Sequence, residues 1–510
     1  MSAWTARRAR RAAREWRGFR GVGRPVGAVV MGVGVTIALC AVTGMIWDWL
    51  APSETIPAGG GVACLAAAAV SIVVGAAIFY WGREHKRTTV TRREALLSVA
   101  LIWVGAGVFG ALPFVFAARM SPADAFFEAV SGLTTTGATV ITDIEARLSR
   151  SLLLWRSMTQ WLGGMGIVVL FVAVFPSLGA GAKHMYRGEA PGAQADGFRP
   201  RIAETSITLW KLYALFTVIE IVLLSLLGMD VFEAICHGLT TMSTGGFSTR
   251  DGSVGGFGVP AYEWVISIFM LIGTVNYGLY YTMLRGRSLK VFMRDVEFRT
   301  FITLVLLSTG LFTLINLRVH PEVLDSLRYA LFMVATTISS TGYGTDDYTA
   351  FPMPSFALMV LIMFVGGCAG STAGGIKIER IVIMAKQTMA QVRRSFEPTA
   401  VQVVRLGRSV VPKPVLADVT SFFVIYMLCI GVGVLVVVSL EGIPVGAAFG
   451  AMLTCLSNMG PAPFHDAAGF ADNFAAYSAV SKIFFVIAML LGRLEFFTLF
   501  ALLVPGFWRR

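Results

Sequence analysis

Apolar residues recur along this chain in runs of about 20, the length a helix needs to cross a ~30 Å hydrocarbon core. The pattern predicts ten membrane spans, at 27–50, 62–81, 96–117, 152–176, 206–228, 262–284, 300–317, 355–385, 415–438 and 474–504. The eighth is interrupted by "GGCAGSTAGGIK" at 366–377, small residues whose poor helix propensity predicts a break at mid-membrane.

After each odd-numbered span from the third onward comes an apolar segment too short to cross. The four read "FFEAVSGLTTTGATV" (126–140), "VFEAICHGLTTMSTGGFSTRD" (231–251), "YALFMVATTISSTGYGTDDY" (329–348) and "AAFGAMLTCLSNMGPAPF" (447–464). Each ends on polar residues followed by a glycine, and Gly137, Gly245, Gly342 and Gly460 recur at intervals of 108, 97 and 118 residues. One such interval holds a short helix, a loop and two spans, so the chain reads as four copies of a helix–pore-loop–helix unit.

Backbone that leaves the helix at membrane depth exposes carbonyls at high cost unless they line a wet cavity or are buried in protein. Four corners around one axis turn that cost into a cation site, with carbonyl oxygens replacing hydration water. The candidate ligands are Thr135, Thr136, Gly137 and Ala138; Ser243, Thr244, Gly245 and Gly246; Ser340, Thr341, Gly342 and Tyr343; and Asn458, Met459, Gly460 and Pro461. No charged side chain lies among them, which suits a monovalent cation better than Ca²⁺. The competing reading is that these glycines only let helices pack closely. One Thr-Gly pair would carry little against it; four at corresponding positions favour a filter.

Composition agrees with the pattern. At 510 residues, 56% hydrophobic and only 14% charged, the chain has too little charge to cover the surface of a soluble multidomain protein. The net charge of +12 follows the positive-inside rule. Basic clusters at 82–93, 183–201, 285–299 and 377–394, with Arg509 and Arg510, fall on one side of a ten-span chain that starts in the cytoplasm. The opposite stretch 441–473 has no Lys or Arg and carries Glu441, Asp466 and Asp472. Both termini are therefore expected to be cytoplasmic. The arginine-rich leader reads as a basic arm beside anionic lipid headgroups rather than a transit peptide or a nucleic-acid tail.

The six cysteines lie singly, with no CxxC pair, and read as packing residues rather than a disulfide framework or zinc site. His85, His184, His237, His320 and His465 are scattered, so no catalytic constellation is expected and the enzyme reading is poor. A P-loop at 366–377 fails on spacing, since GxxxxGK[ST] cannot be written there.

With "FFEAVSGLTTTGATV", "GGCAGSTAGGIK" and "LLGRLEFFTL", the chain resembles the Trk/Ktr/HKT potassium-transporter superfamily, specifically its TrkH/TrkG type, over essentially its whole length. The resemblance implies an all-α polytopic membrane protein with four helix–pore-loop–helix repeats in pseudo-fourfold arrangement, plus two extra N-terminal transmembrane helices. It implies K⁺ uptake across a bacterial inner membrane, with K⁺ held only at the filter, a homodimer, no organic cofactor, and a separate cytoplasmic TrkA-like nucleotide-binding ring. In that family a glycine at each filter position accompanies K⁺ preference, and the matching residues here are Gly137, Gly245, Gly342 and Gly460. The fourth loop departs from the family: "NMGPAPF" stands where the pattern resembles N-x-G-P-G-x-G, and Ala462 and Pro463 stiffen that corner.

The resemblance makes 366–377 an intramembrane gate loop, with Gly366, Gly367, Gly370, Ser371, Thr372, Gly374, Gly375 and Lys377 as gate residues, and places Arg493 in the pore beside it. The alternative for Arg493 is a pair with Glu495 or a neighbouring carboxylate; for Lys377 it is a snorkelled cytoplasmic end. Lys211, Glu220, Arg156, Gln160 and Lys482 read as intramembrane partners or anchors, and Glu128 and Glu233 as caps of their short helices. The expected organisation is 1–94, arm and extra spans; 95–182, first repeat; 183–205, linker; 206–290, second repeat; 291–394, third repeat with gate; 395–413, linker; and 414–510, fourth repeat. Linker 180–205 and segment 386–413 are candidate docking surfaces for the ring. The runner-up function is K⁺/H⁺ or K⁺/Na⁺ symport on the same scaffold.

Overall fold

The computed structural model describes residues 3–52, 59–82, 92–173, 198–345, 351–399, 403–407, 409–460 and 473–508. The span end 174–176, the linker as far as 197, Pro461 and the stretch to 472 lie outside them. The described residues are helical almost throughout; a small sheet among them pairs Arg405 with Val410 and Leu406 with Ser409.

Among the described residues, six helices are long and apolar enough to cross a bilayer: Val22–Leu50, Gly61–Trp81, Arg93–Phe116, Ser206–Leu226, Val296–Asn316 and Lys413–Glu441. Only 22% to 44% of each apolar window is buried within the protein. Side chains such as Leu226, Leu306, Leu307 and Leu435 therefore point outward, which is stable where the surrounding solvent is hydrocarbon. This is a multi-pass membrane protein.

The described chain divides into two compact units, one of 1–130, 146–155 and 494–510, the other of 131–145 and 156–493. In the first, the helices Ala3–Leu50 and Gly61–Trp81 form a close hairpin. A Cβ at Gly27 would collide with the backbone of Phe79, and one at Gly75 with the backbone of Met31. Small residues bring these helices together, as in membranes where packing rather than water exclusion drives association. The Arg150 guanidinium closes the end of the first helix, donating to the carbonyls of Trp47 (3.1 Å) and Ala51. This satisfies groups that the helix end leaves unpaired.

The second unit repeats one motif. Each long helix packs on the short helix that follows it: 206–226 on Val231–Met242, Val296–Asn316 on Val323–Ile338, and Lys413–Glu441 on Val445–Ser457. Each short helix then meets the next inner helix.

Two expected spans are broken. The span 262–284 consists of Pro260–Thr274 and Tyr277–Gly286, meeting at 88°. Asn276 starts the second piece, its Oδ1 accepting from the Gly278 N–H at 2.6 Å. The span 474–504 breaks after Arg493, where Glu495 and Phe496 have φ of 57° and 54°. Hydropathy could not register either break, because both sides are equally apolar. The interruption in 355–385 occurs as expected, between Met353–Met363 and Ile378–Phe396.

The short helices are capped differently from expectation. Asp230, not Glu233, caps the second, accepting from the N–H of Phe232 at 2.9 Å. Glu233 instead pairs with Arg250 at 3.1 Å. Ser121 and Asp124 pair across the first turn of Pro122–Leu133, while Glu128 lies buried in that helix's interior. An N-cap must precede the first helical turn, and both glutamates come too late.

Candidate functional site

The four short helices end in one recurring corner. In each, a backbone N–H reaches five residues back: Thr136 to Ser131 (2.8 Å), Gly245 to Thr240 (2.9 Å), Thr341 to Thr336 (2.9 Å) and Met459 to Thr454 (3.0 Å). The residue before each donor is left-handed: Thr135 at φ 54°, Thr244 at 54°, Ser340 at 57° and Asn458 at 53°. Left-handed threonine and serine are uncommon, and three of them at matching positions, with an asparagine at the fourth, mark backbone held in place by its surroundings.

This frame corrects the glycine register. The residue after the donor is Gly137 (φ 80°), Gly246 (77°) and Gly342 (83°) in the first three loops. The second-loop counterpart of Gly137 is thus Gly246, whereas Gly245 matches Thr136 and Thr341. "STGGF" offers two adjacent glycines, and only backbone conformation separates them. In the fourth loop Gly460 holds the same position without the left-handed φ of the other three. Pro461 lies outside the described residues.

The loops touch in turn. A Cβ on Gly137 would strike the Gly245 carbonyl oxygen, and one on Gly246 the Thr341 carbonyl oxygen. A Cβ on Gly460 would stand 3.4 Å from the Gly137 and Thr136 carbonyl oxygens. Gly137, Gly246, Gly342 and Gly460 line one cavity of about 220 Å³, together with Arg156 and Asp251. Asn458 ties the fourth loop to the first, its Nδ2 donating to Thr136 Oγ1 at 3.0 Å and to the Met489 carbonyl at 2.9 Å. Of the sixteen predicted filter residues, the structure brings the described ones into these four corners, with Ser243 at the end of its helix.

The segment 366–377 adjoins three of the corners. Gly374 N–H donates to Ser340 Oγ at 2.6 Å, Gly375 N–H to the Ser457 carbonyl at 2.8 Å, and Thr372 Oγ1 to the Met242 carbonyl at 3.2 Å. The break at 275–276 also serves this segment. The freed Thr274 carbonyl accepts from Cys368 N–H at 3.0 Å, and the Gly273 carbonyl from Thr372 Oγ1 at 3.0 Å. Gly366 donates to the Ile376 carbonyl at 2.8 Å, Gly370 accepts from Tyr277 N–H at 3.3 Å, and Ser371 Oγ turns back to the Cys368 carbonyl at 2.6 Å. Irregular backbone inside a membrane is tolerated when its groups are paired like this.

Arg493 is buried, with Nη1 on the Thr372 carbonyl at 2.9 Å and Nη2 on the Gly163 carbonyl at 3.0 Å. Its partners are carbonyls, not the carboxylate of the alternative reading. Lys377 is also buried, and Nζ donates to the Ala373 carbonyl at 2.5 Å, rather than snorkelling.

Sequence reasoning missed Glu297. Its Oε1 accepts from the N–H of Ala369 (2.8 Å) and of Glu379 (3.0 Å), tying the segment to the first turn of the helix Ile378–Phe396 that follows it. The residue sits in "RDVEFR", where it reads as one more cytoplasmic charge. His237 packs as expected, with Nδ1 at 2.8 Å from the Glu233 carbonyl and Nε2 at 3.0 Å from Ser248 Oγ. Lys482 Nζ donates to the Ala475 carbonyl at 2.9 Å. All six cysteines are free thiols.

A family model described as "TrkH: Cation transport protein" matches residues 61–506. The chain belongs to the TrkH family. It is 40% identical over 498 residues to the Trk system potassium uptake protein TrkH of Salmonella typhimurium, covering 96% of this chain and 99% of that one. It is 36% identical to the TrkG protein of Escherichia coli, covering 82% of this chain and 86% of the relative. The crystal structure of the potassium transporter TrkH from Vibrio parahaemolyticus superposes with a TM-score of 0.86, at 34% identity, over 96% of this chain and all of that one. The TrkH fold therefore covers 96% of this chain, and the four corners lie within the family match at 61–506.

Proposed function

We propose that this chain carries K⁺ into the cell through a gated pore. The observation that carries the reading is the recurrence of one strained backbone corner in four loops around a single cavity. Carbonyl oxygens from Thr135 to Ala138 and their counterparts replace the hydration shell of K⁺, the transported ion. No organic cofactor is required for that step, and it involves no covalent chemistry. The names of the relatives, potassium uptake proteins, support the choice of ion.

Segment 366–377 is the gate, and Arg493 is its electrostatic lock. A buried cation beside the path opposes passage of another cation, and its two bonds to carbonyls hold the segment in place. Opening requires the Arg493–Thr372 contact to part. An inside-negative membrane contributes about 2.3 kcal/mol per charge per 100 mV, enough to drive accumulation without a coupled ion.

The four repeats at 95–182, 206–290, 291–394 and 414–510, behind two extra helices in 1–94, form a pseudo-fourfold protomer. It works as a homodimer in the inner membrane, with both termini cytoplasmic. A TrkA-like nucleotide-binding ring acts on the basic inner face, where helix Ile378–Phe396 ends with Arg393 and Arg394. The test is purified protein in liposomes, with K⁺ and Na⁺ fluxes measured with and without the ring. K⁺ flux exceeding Na⁺ flux, with a reversal potential that follows the K⁺ gradient alone, is expected. A reversal potential that moves with pH or Na⁺ replaces the reading with symport.

A further inference from the structure

The four corners share a backbone but not the side chains that hold it. In the first loop, Thr134 and Thr136 pair through their hydroxyls at 2.7 Å, and Ser131 Oγ donates to the Ala138 carbonyl at 2.5 Å. The third loop repeats both contacts: Ser339 and Thr341 pair at 2.6 Å, and Thr336 Oγ1 donates to the Tyr343 carbonyl at 3.1 Å. These loops are braced from within.

The second loop has lost both braces. Gly245 occupies the place of Thr136 and Thr341, so Ser243 has no hydroxyl at that position to meet and turns back to the Thr240 carbonyl at 3.1 Å. Thr240 occupies the place of Ser131 and Thr336, but its hydroxyl bonds to the Cys236 carbonyl (2.9 Å) and the Tyr343 hydroxyl (2.5 Å). Yet Thr244 and Gly246 keep nearly the same positive φ as their counterparts in the first and third loops. Something outside the loop must hold it.

An amide supplies that support. Gln160, fully buried in the helix Arg150–Ala173, donates through Nε2 to the Gly245 carbonyl at 2.7 Å. Its Oε1 accepts from the Phe247 N–H at 3.0 Å. One turn earlier on that helix, the Arg156 guanidinium lies 3.6 Å from the Phe247 ring centroid and donates to the Ser248 carbonyl at 2.8 Å. A primary amide suits the place because it offers a donor and an acceptor in one plane, as a peptide group does. The absence of a side chain on Gly245 leaves room for it: a Cβ there would collide with the Gln160 amide carbon.

We propose that Gln160 is a specificity-determining positioning residue: it replaces the missing hydroxyl braces of the second loop and fixes the aim of that loop's carbonyls toward the ion. The proposal rests on the reading of the four loops as a K⁺ filter. It makes Gln160 and Gly245 a matched pair, each fitted to the other. Losing the amide frees the Gly245 carbonyl and lets the corner relax, whereas a threonine at 245 in place of the amide rebuilds the hydroxyl pair with Ser243. Gly245 is not left-handed, so a threonine there meets no backbone penalty.

The experiment compares the full-length wild type, Gln160→Ala, Gly245→Thr and the double variant Gln160→Ala/Gly245→Thr in liposomes, reading the ratio of K⁺ to Na⁺ flux. Each single variant is expected to lose about three- to tenfold of that ratio, the scale of one neutral hydrogen bond. The double variant is expected to recover most of it. A Gln160→Ala ratio equal to wild type overturns the proposal. Should the single variants fail to fold, the double decides: a folded and selective double supports the pairing. One that is unselective, or that folds no better than the singles, ends it. A wild type without K⁺ preference would instead sink the filter reading itself, so the two failures are distinct.

Discussion

The Arg493 guanidinium spans two elements, with Nη1 on the Thr372 carbonyl at 2.9 Å and Nη2 on the Gly163 carbonyl at 3.0 Å. Thr372 lies at the centre of the proposed gate segment, and its own hydroxyl reaches the Met242 and Gly273 carbonyls. One side chain thus ties the segment to the helix Arg150–Ala173, while the segment's own threonine ties it to the second loop. Arg493→Ala removes a cation and two charge-assisted hydrogen bonds, each worth about 1.5–3 kcal/mol. Its K⁺ flux in liposomes without the ring is expected to rise about tenfold or more. Flux and single-channel openings equal to wild type would take Arg493 out of the gate.

Glu297 holds the same segment from its other side. Glu297→Ala leaves two buried N–H groups, of Ala369 and Glu379, without their acceptor, at about 1–3 kcal/mol each. The expected outcome is lower thermal stability in detergent and raised basal flux. Glu297→Gln, which keeps an acceptor oxygen in place, should recover much of both. Equal losses in the alanine and glutamine variants would show that charge, not hydrogen bonding, is the contribution.

The register of the second loop can be tested directly. Gly246→Ala asks a residue with a side chain to hold φ 77° and to sit against the Thr341 carbonyl. The conformation alone costs about 1–2 kcal/mol. The ratio of K⁺ to Na⁺ flux is expected to fall as sharply in Gly246→Ser as in Gly137→Ser, since the two glycines hold equivalent positions. A selective Gly246→Ser variant would return the register to Gly245.

Asn458 combines two tasks. Asparagine tolerates the left-handed conformation better than most residues, and its amide crosses to Thr136 and Met489. Asn458→Gly keeps the backbone and removes the crosslinks; Asn458→Ala removes both. Stability measured by thermal melting should fall in the order wild type, glycine variant, alanine variant. An alanine variant as stable as the glycine variant would mean that the left-handed backbone carries no strain there.

Much of the site was legible in the residues. The alternation of long and short apolar segments, the four Thr-Gly or Asn-Met-Gly endings, and the interruption at 366–377 all required physics that composition reveals. A bilayer demands about 20 apolar residues per crossing and leaves irregular backbone nowhere to go but a polar cavity. The buried Arg493 was equally visible, because a charge within a span needs a reason. Gly246 was misread because adjacent glycines differ only in φ and ψ. Glu297 and Asp230 were missed because their sequence neighbours look like ordinary surface charge or helix starts.

The sequence by itself determined that this chain crosses a membrane many times and carries four corners of non-helical backbone, since hydropathy and glycine placement act within a few residues. Tertiary structure alone decided which glycine of "STGGF" aligns with Gly137, where the spans at 262–284 and 474–504 break, and that Gln160 and Glu297 hold loops distant in the chain. The Gln160 and Glu297 contacts are hydrogen bonds between residues 72 to 87 positions apart. A hydrogen bond of that reach is set by how helices pack, and no local pattern of residue types encodes it.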